Sequence, residues 1–422
     1  MGRVVVVGGG AAGMMAAGTA ARAGCEVLLL EKNNVLGKKL LITGKGRCNL
    51  TNACEIEEVI ARFGSGGKFL YSALHAFPPL AAWQFFTDQG LELVVERGQR
   101  VFPASGKAAD VVKALKGYLQ QTGAAVRLDS PVQEIAARGE GSRHAGGVKL
   151  ADGSFIPADA VILAAGGASY PGTGSTGDGY VMAEKLGHTI QPIYPALVPL
   201  KTKEEWVKEA SGLSLRNVRA KLFDGEKLLG SEFGEMLITH FGVSGPIILT
   251  LSRFVAPRVE EGRTLRLEID LKPALDEERL DARLQRDLDK YTRKSLRNAL
   301  KDLLPKALIP VVIAESGIPP ERPAHQVTKG DRHRLLRTLK GLPLTVTGTL
   351  SLSAAIVTQG GITLNEVDPR TMASRLVKGL YLAGEVLDLA ADTGGFNLQA
   401  AFATGYAAGR HAAQAAGAKA LH

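Results

Sequence analysis

The chain has 422 residues, 45% of them hydrophobic, which is more than one small core needs and points to two or three packed units. Its 50 glycines come with only 19 prolines and no Gly-X-Y period, so collagen is excluded, and the apolar content excludes broad disorder. The formal charge of +9 favours acidic ligands without an arginine-rich tract to mark nucleic-acid binding, and three cysteines (Cys25, Cys48, Cys54) cannot build a disulfide scaffold.

Residues 3–7 are a short apolar strand, 11–23 an Ala- and Met-rich helix, and 26–30 a second strand, the opening βαβ of a dinucleotide fold. Continuous rather than alternating apolar strands suit a parallel sheet covered on both faces. Arg3 before this stretch has the look of a signal peptide, but the βαβ pattern explains it better. Residues 34–54 hold too many turn formers for one regular element. A helical stretch over 68–90 is broken at Pro78-Pro79. Strands follow near 91–95 and 99–102, a helix at 107–121 and a strand at 125–129. The stretch 132–157 is a small antiparallel unit with its turn at Asp152-Gly153.

Residues 160–164 form another buried strand, and 178–187 a helix. From about 196 the chain becomes more charged, with amphipathic helices near 275–290 and 292–304. The glycine-rich style returns at about 346 and ends in strand 379–383 and helix 397–416. The domains expected are therefore 1–195 with 346–422, and an inserted 196–345 whose helical part spans about 275–340. No apolar run is long enough to span a membrane.

Gly8-Gly9-Gly10-Ala11-Ala12-Gly13 joins the first strand to the first helix. Gly8 permits the tight turn, Gly10 lets backbone approach a pyrophosphate, and Gly13 permits close helix–strand packing. The N–H groups at Ala11 and Ala12 belong to the positive helix end that stabilises an anion. Glu31, with Lys32 beside it, ends the second strand, where a carboxylate accepts both ribose hydroxyls and repels a 2′-phosphate. The late loop Gly384-Glu385, followed by Asp392 to Asn397, supplies a second set of contacts. An extended dinucleotide such as FAD needs these more than NAD does, and the following helix N-terminus suits negative charge on a reduced flavin.

The segment Gly37 to Asn52 (GKKLLITGKGRCNLTN), Phe102-Pro103 with Lys107-Ala108, Thr239 to Pro246, Gly384 to Asp388 and Thr393 to Gln399 resemble the BaiN-like, aminoacetone-oxidase-type family of FAD-binding NAD(P)/FAD-dependent oxidoreductases. The resemblance covers nearly the whole chain. It implies an α/β fold, a Rossmann-like FAD-binding domain of the two-dinucleotide-binding flavoprotein type. Both chain ends form that domain, and a strand-rich domain with a small helical part is inserted. It also implies an adenine contact through the backbone at Val132.

Lys38 and Lys39 are candidates for phosphate or substrate anions. Gly44 and Gly46 let backbone pass a flavin whose edge Arg47 and Asn49 can meet, with Cys48 packed beside them. Ala165-Gly166, Gly384-Glu385 and Gly395-Phe396-Asn397-Leu398 complete the expected cofactor set. A Cys48/Cys54 redox dithiol and a metal centre are not supported by spacing. Catalytic candidates are His240, Tyr170 and Arg47. The reading is a cytoplasmic FAD-dependent oxidoreductase that transfers hydride between flavin N5 and a small organic substrate, with NAD(P)H as a transient donor. Nucleic acid is not an expected partner, because basic residues of the insert are interspersed with acids. The alternatives are an amine oxidase using dioxygen, a flavin-dependent nucleic-acid-modifying or -binding protein, and a non-catalytic flavoprotein.

Overall fold

The computed structural model describes residues 1–139 and 143–418 and divides into two compact units, Met1–Pro195 with Leu352–His422, and Ala196–Ser351. In the first, β1 (Arg3–Val7) runs into helix α1 (Ala11–Arg22) and back through β2 (Glu26–Leu30). These strands lie within a five-stranded parallel sheet, in the order Leu380–Leu382, Ala160–Leu163, β1, β2, Ala125–Arg127. Val4, Val5 and Val6 are fully buried, as a central strand covered on both faces requires.

Every position of α1 except Arg22 is buried. It lies along the C-terminal helix Phe396–Ala415, and glycines set how closely. A Cβ on Gly405 would strike the Ala12 carbonyl, and one on Gly409 the Ala16 carbonyl. The other flank of the C-terminal helix is aromatic, with Tyr406 stacked on Phe77 at 5.1 Å and Phe402 edge-on to Phe86 at 5.2 Å.

Helices Tyr71–Ala76 and Pro79–Asp88 are divided at Pro78-Pro79, as predicted. Strands Val132–Ala137, Ala145–Leu150 and Phe155–Pro157 make the small antiparallel sheet, closed at Asp152-Gly153, where Asp152 Oδ1 accepts the Ser154 N–H at 2.9 Å. Residues 140–142 of that predicted unit and 419–422 of the terminal segment lie outside the described residues.

The second unit is a closed six-stranded antiparallel barrel. Its strands run in the order Leu200–Thr202, Gly242–Ser244, Lys227–Thr239, Ser214–Asp224, Leu265–Asp270, Leu342–Thr349. Helices Glu277–Lys290, Ile309–Glu315 and Lys329–Lys340 sit between the last two strands. The last helix starts with a capping box, Thr328 and Asp331 each bonding the other's backbone N–H. The helix predicted over 292–304 is not continuous. Only Leu296–Ala299 is α-helical, followed by a 3₁₀ turn at Leu300–Asp302. The reason is tertiary: Leu296 N–H donates to Arg322 O at 2.8 Å, Ser295 bridges to Pro323, and Pro305 ends the segment.

Two outcomes follow. Gly409→Ala adds helix propensity but drives a methyl into α1, so the thermal midpoint should fall by the equivalent of about 1–3 kcal/mol. A rise in midpoint, as propensity alone demands, would refute the close packing. Second, buried His188 lies 3.0 Å from Glu366 Oε2 and 2.8 Å from Ser374 Oγ, and burial holds its pKa below the ordinary 6.5 despite Glu366. The unfolded chain binds that proton first, so this contribution is present above pH 6.5 and is lost as pH falls through the lowered value. Midpoints measured from pH 7.5 down to 5 should fall more steeply for the native chain than for His188→Gln.

Candidate functional site

The site grows from the C-terminal edge of the parallel sheet, where ligands of open α/β folds bind. Gly8 turns at φ +107°, and a Cβ there would overlap Ala164 and Ala165 at the end of the neighbouring strand. Gly13 packs against the turn itself, since its Cβ would collide with the Gly8 carbonyl. Gly10 has nothing within 4 Å of where its Cβ would stand, which is the open approach a pyrophosphate needs. It caps α1 without a side-chain hydrogen bond, and the first turn, beginning Ala11-Ala12, holds no acidic residue. The free N–H groups of that turn therefore have no competing anion of their own.

Glu31 is 8% exposed at the end of β2. Its Oε2 accepts the Gly9 N–H at 2.7 Å, while Oε1 accepts the Asn33 N–H at 2.8 Å and Asn33 Nδ2 at 2.6 Å. Three of about four acceptor positions are filled. Room remains at Oε2 for one ribose hydroxyl rather than the two expected from sequence. The backbone beside it is tied down too, with Glu31 N–H donating to Arg127 O at 3.0 Å and Ser130 N–H to Glu31 O at 2.9 Å. Val132 starts the strand that follows, paired with Leu150.

The lysines are engaged within the protein. Lys32 Nζ contacts Asp178 Oδ2 at 2.5 Å and Thr176 Oγ1 at 2.6 Å. Lys38 Nζ reaches Asn33 Oδ1 only at 3.5 Å and is the freest of the three. Lys39 Nζ joins Glu385 Oε2 at 2.8 Å and Ser169 Oγ at 2.7 Å. Glu385 also accepts the Thr358 N–H at 2.7 Å, and Thr358 Oγ1 accepts the Ala168 and Ser169 N–H groups at 2.9 and 3.0 Å. Two expected cofactor residues, Lys39 and Glu385, thus neutralise each other and brace the loop beyond Ala165-Gly166. Ser169, Thr358 and Asn33 were missed from the sequence, where no spacing links them to Glu31 or Glu385.

The Gly44–Asn49 loop is held in unusual backbone. Gly44, Lys45, Gly46 and Cys48 all have positive φ, at +57°, +59°, +83° and +59°. For Lys45 and Cys48 that conformation costs about 1–3 kcal/mol each, the sort of strain that gathers at ligand-binding loops. Asn49 Oδ1 is buried without a hydrogen-bond partner. Arg47 turns elsewhere, pairing with Glu96 and lying 4.4 Å over the Phe102 ring. Cys48 and Cys54 are both pushed up to about 11, mainly by burial, so both are protonated thiols at neutral pH.

Thr51 and Asn52 tie this loop to the second half of the site. Asn52 Nδ2 donates to Gly394 O at 3.0 Å, and Thr51 Oγ1 to Gln399 Oε1 at 2.7 Å. Gly395, at φ +95°, has no room for a Cβ against the Thr51 backbone. Asn397 folds its side chain back onto Ala391 N–H and O at 2.9 and 3.1 Å, and Phe396 and Leu398 flank it in the first turn. Gly384, at φ +77°, would place a Cβ 2.8 Å from that of Ala12, so the late loop meets the phosphate turn directly.

The unfilled α1 terminus, the open face at Gly10, the remaining acceptor position on Glu31 and the orphaned Asn49 oxygen fit FAD. A diphosphate answers the first two, a ribose hydroxyl the third and the N–H edge of an isoalloxazine the fourth. Of the catalytic candidates, Tyr170 belongs to this unit, is 38% exposed and has φ +53°. His240 belongs to the barrel unit, where it is exposed and edge-on to Phe241. Among the described residues no cluster of His, Cys, Asp and Glu fits a metal, and no helix is long and apolar enough to cross a membrane.

Residues 2–411 match the model of the HI0933-like protein Rossmann domain. The chain is 36% identical over 416 residues to a 3-dehydro-bile acid delta(4,6)-reductase of Clostridium scindens, covering 98% of this chain and 100% of that one. It is 30% identical over 407 residues to a ribosomal RNA dihydrouridine synthase of Escherichia coli, covering 96% of each. In fold it is similar to the 3-ketosteroid delta1-dehydrogenase of Sterolibacterium denitrificans, with a TM-score of 0.54 at 14% identity, covering 98% of this chain and 100% of that one.

Glu31→Ala leaves the Gly9 N–H without its buried acceptor and removes the ribose contact. FAD titrated into the deflavinated protein should bind roughly 10- to 100-fold more weakly, the equivalent of about 1–3 kcal/mol. Asn33→Ala, which removes only a partner of Glu31, should cost less. Equal affinities for all three proteins would take Glu31 out of the site.

Proposed function

We propose, for a chain that belongs to the HI0933-like Rossmann-domain family and is an FAD-dependent oxidoreductase, that it reduces a carbon–carbon double bond conjugated to a carbonyl. Hydride transfer between flavin and a small organic substrate is the activity of such an enzyme; the direction and the bond are the proposal. The observation that carries it is chemical. The names of two full-length relatives describe the same change, removal of double bonds from a 3-oxo steroid skeleton and of the double bond of uridine, which is conjugated to its C4 carbonyl. A dioxygen-using amine oxidase has no such support. Within the family, the Gly37–Asn52 motif supports a place among the BaiN-like, aminoacetone-oxidase-type members.

Bound FAD supplies a hydride-carrying N5. The protein's part is to hold and polarise. The α1 terminus at Gly10 takes the diphosphate, and Glu31 takes a ribose hydroxyl while fixing Gly9. The N-terminus of helix Phe396–Ala415 lowers the energy of negative charge beside it. The Lys39–Glu385 pair keeps the lining loops in register. The inserted unit Ala196–Ser351 is proposed to recognise the substrate. Reduction needs a proton on the carbon next to the carbonyl as well as a hydride on the far carbon, and the Tyr170 phenol is the donor assigned in the flavin unit. One NAD(P)H and one proton are consumed per double bond. The three free thiols support a reducing, cytoplasmic setting.

The holoenzyme, reduced anaerobically with NADPH, should be reoxidised by a conjugated enone and not by an isolated alkene. Tyr170→Phe should slow that reoxidation about 100-fold while leaving reduction by NADPH intact. Reduction by amines, with dioxygen as the sole acceptor, would overturn the proposal.

A further inference from the structure

Arg47 leaves the Gly44–Asn49 loop for a place that already holds a second cation. Strand Arg100–Pro103 lies between strands Thr51–Asn52 and Leu93–Glu96, which sets Arg100 across from Asn52 on one side and Glu96 on the other. Glu96 also takes the Arg47 guanidinium. Both guanidiniums lie against one buried ring, with Arg47 Cζ 4.4 Å and Arg100 Cζ 5.8 Å from the Phe102 centroid. That ring touches the cofactor loop, since a Cβ on Gly44 would stand 3.7 Å from Phe102 Cε1. On the far side a Cβ on Gly106 would stand 3.9 Å from Arg47 Nε, next to the exposed Lys107.

Two guanidiniums here share one carboxylate. The Arg47 hydrogen bond, and then the charges of both arginines, hold Glu96 below the ordinary carboxylate range. Arg100 Nε donates to Arg97 O at 2.9 Å, and its Nη groups have no hydrogen-bond partner among the described residues. The Arg47 side chain is 44% exposed, and an ion pair that open to solvent is weakly held. Positive φ at Lys45, Gly46 and Cys48 fixes the direction in which Arg47 leaves the loop, so Glu96 is not needed to aim it. A phosphate monoester carries close to two charges at neutral pH and takes arginine in a two-bond fork, so it displaces a singly charged carboxylate. A diester or a second carboxylate has no such advantage. The ribose site at Glu31 repels a 2′-phosphate, so a donor that carries one needs cations elsewhere.

We propose that Arg47 and Arg100 bind the 2′-phosphate of NADPH, that Glu96 is the internal anion it replaces, and that the chain takes NADPH in preference to NADH. The need for a nicotinamide donor comes from the function proposed above, on which this rests. The step balances: NADPH gives a hydride to the flavin and leaves as NADP⁺, and the electron pair passes on to the enone.

The test uses the full-length holoenzyme and two readouts. In calorimetry, adenosine 2′,5′-bisphosphate should bind at least about 10-fold more tightly than adenosine 5′-phosphate, with an affinity that falls as salt rises. Arg100→Ala should remove about 10-fold of that affinity, and Arg100→Lys, which keeps the charge but not the fork, should restore only part of it. Glu96→Gln removes the competing carboxylate and should tighten the bisphosphate about 3-fold or more, where loss of a merely structural ion pair would weaken it. Flavin spectra and thermal midpoints report folding, and Glu96→Gln decides the outcome if Arg100→Ala does not fold. In the second readout, anaerobic flavin reduction, Arg100→Ala should raise the NADPH concentration for half-maximal rate about 10-fold and leave that for NADH within about 2-fold. Bisphosphate binding that Arg100→Ala keeps, or that Glu96→Gln weakens, overturns the proposal. So does an Arg100→Ala defect confined to reoxidation by the enone, which would put the anion on the substrate. Equal half-saturation by NADH and NADPH overturns this inference and leaves the proposed function standing. Reduction by neither nucleotide, with amines as the donors, overturns both.

Discussion

The nucleotide end of this protein depends on how close backbone can come to backbone around α1. Its N-terminus is useful only if it stands against the ends of β1 and of strand Ala160–Leu163, and three glycines at its contacts have no space for a methyl: Gly13 within it against Gly8, and Gly405 and Gly409 against Ala12 and Ala16. Each contact brings peptide dipoles and apolar surface together at a distance that a side chain would forbid. The helix is therefore gripped from two sides while its first turn stays clear. Glu31 adds the polar half of the grip by accepting the Gly9 N–H, which binds the end of β2 to the turn.

The same economy shapes the electrostatics. A diphosphate site built on charge alone would gather free cations, yet Lys32 and Lys39 are already matched with Asp178 and Glu385. Oriented N–H groups of the α1 turn are left for the anion proposed there, and the lysines act as cross-ties between loops that follow different strands. The Lys39–Glu385 pair is about four-fifths buried on both sides, so breaking one partner leaves a poorly solvated charge. That makes it a device for fixing relative loop positions more than a source of net stability.

What was legible in the sequence was what is local. The run Arg3–Leu30 carries its own period, glycines and acidic residue, so strand, turn and helix could be placed closely from spacing alone. The Gly37–Asn52 motif reads in the sequence as a cofactor loop, a reading with which its orphaned Asn49 oxygen and left-handed Cys48 are compatible. Arg47 was harder, since nothing near it in the chain announces Glu96 and Phe102 as its partners. Glu31 stands out in the sequence but its partners do not, because Asn33 and Gly9 use its oxygens only once the turn has folded. The helix expected over 292–304 failed for a related reason: its apolar periodicity is real, but Arg322 competes for its backbone from a distant segment.

The C-terminal helix has a consequence for how the protein comes to exist. Translation delivers β1 and α1 well before Phe396–Ala415, so a helix buried at every position but Arg22 waits through the synthesis of the intervening chain for the surface that covers it. The barrel unit, whose strands and helices are contiguous in the chain, has no such wait and can close while the rest is still being made. Assembly thus runs from the middle outwards, and the dinucleotide turn acquires its final rigidity only when the two ends meet. Cofactor capture is in that sense a closing event, one that waits for Phe396–Ala415 to emerge.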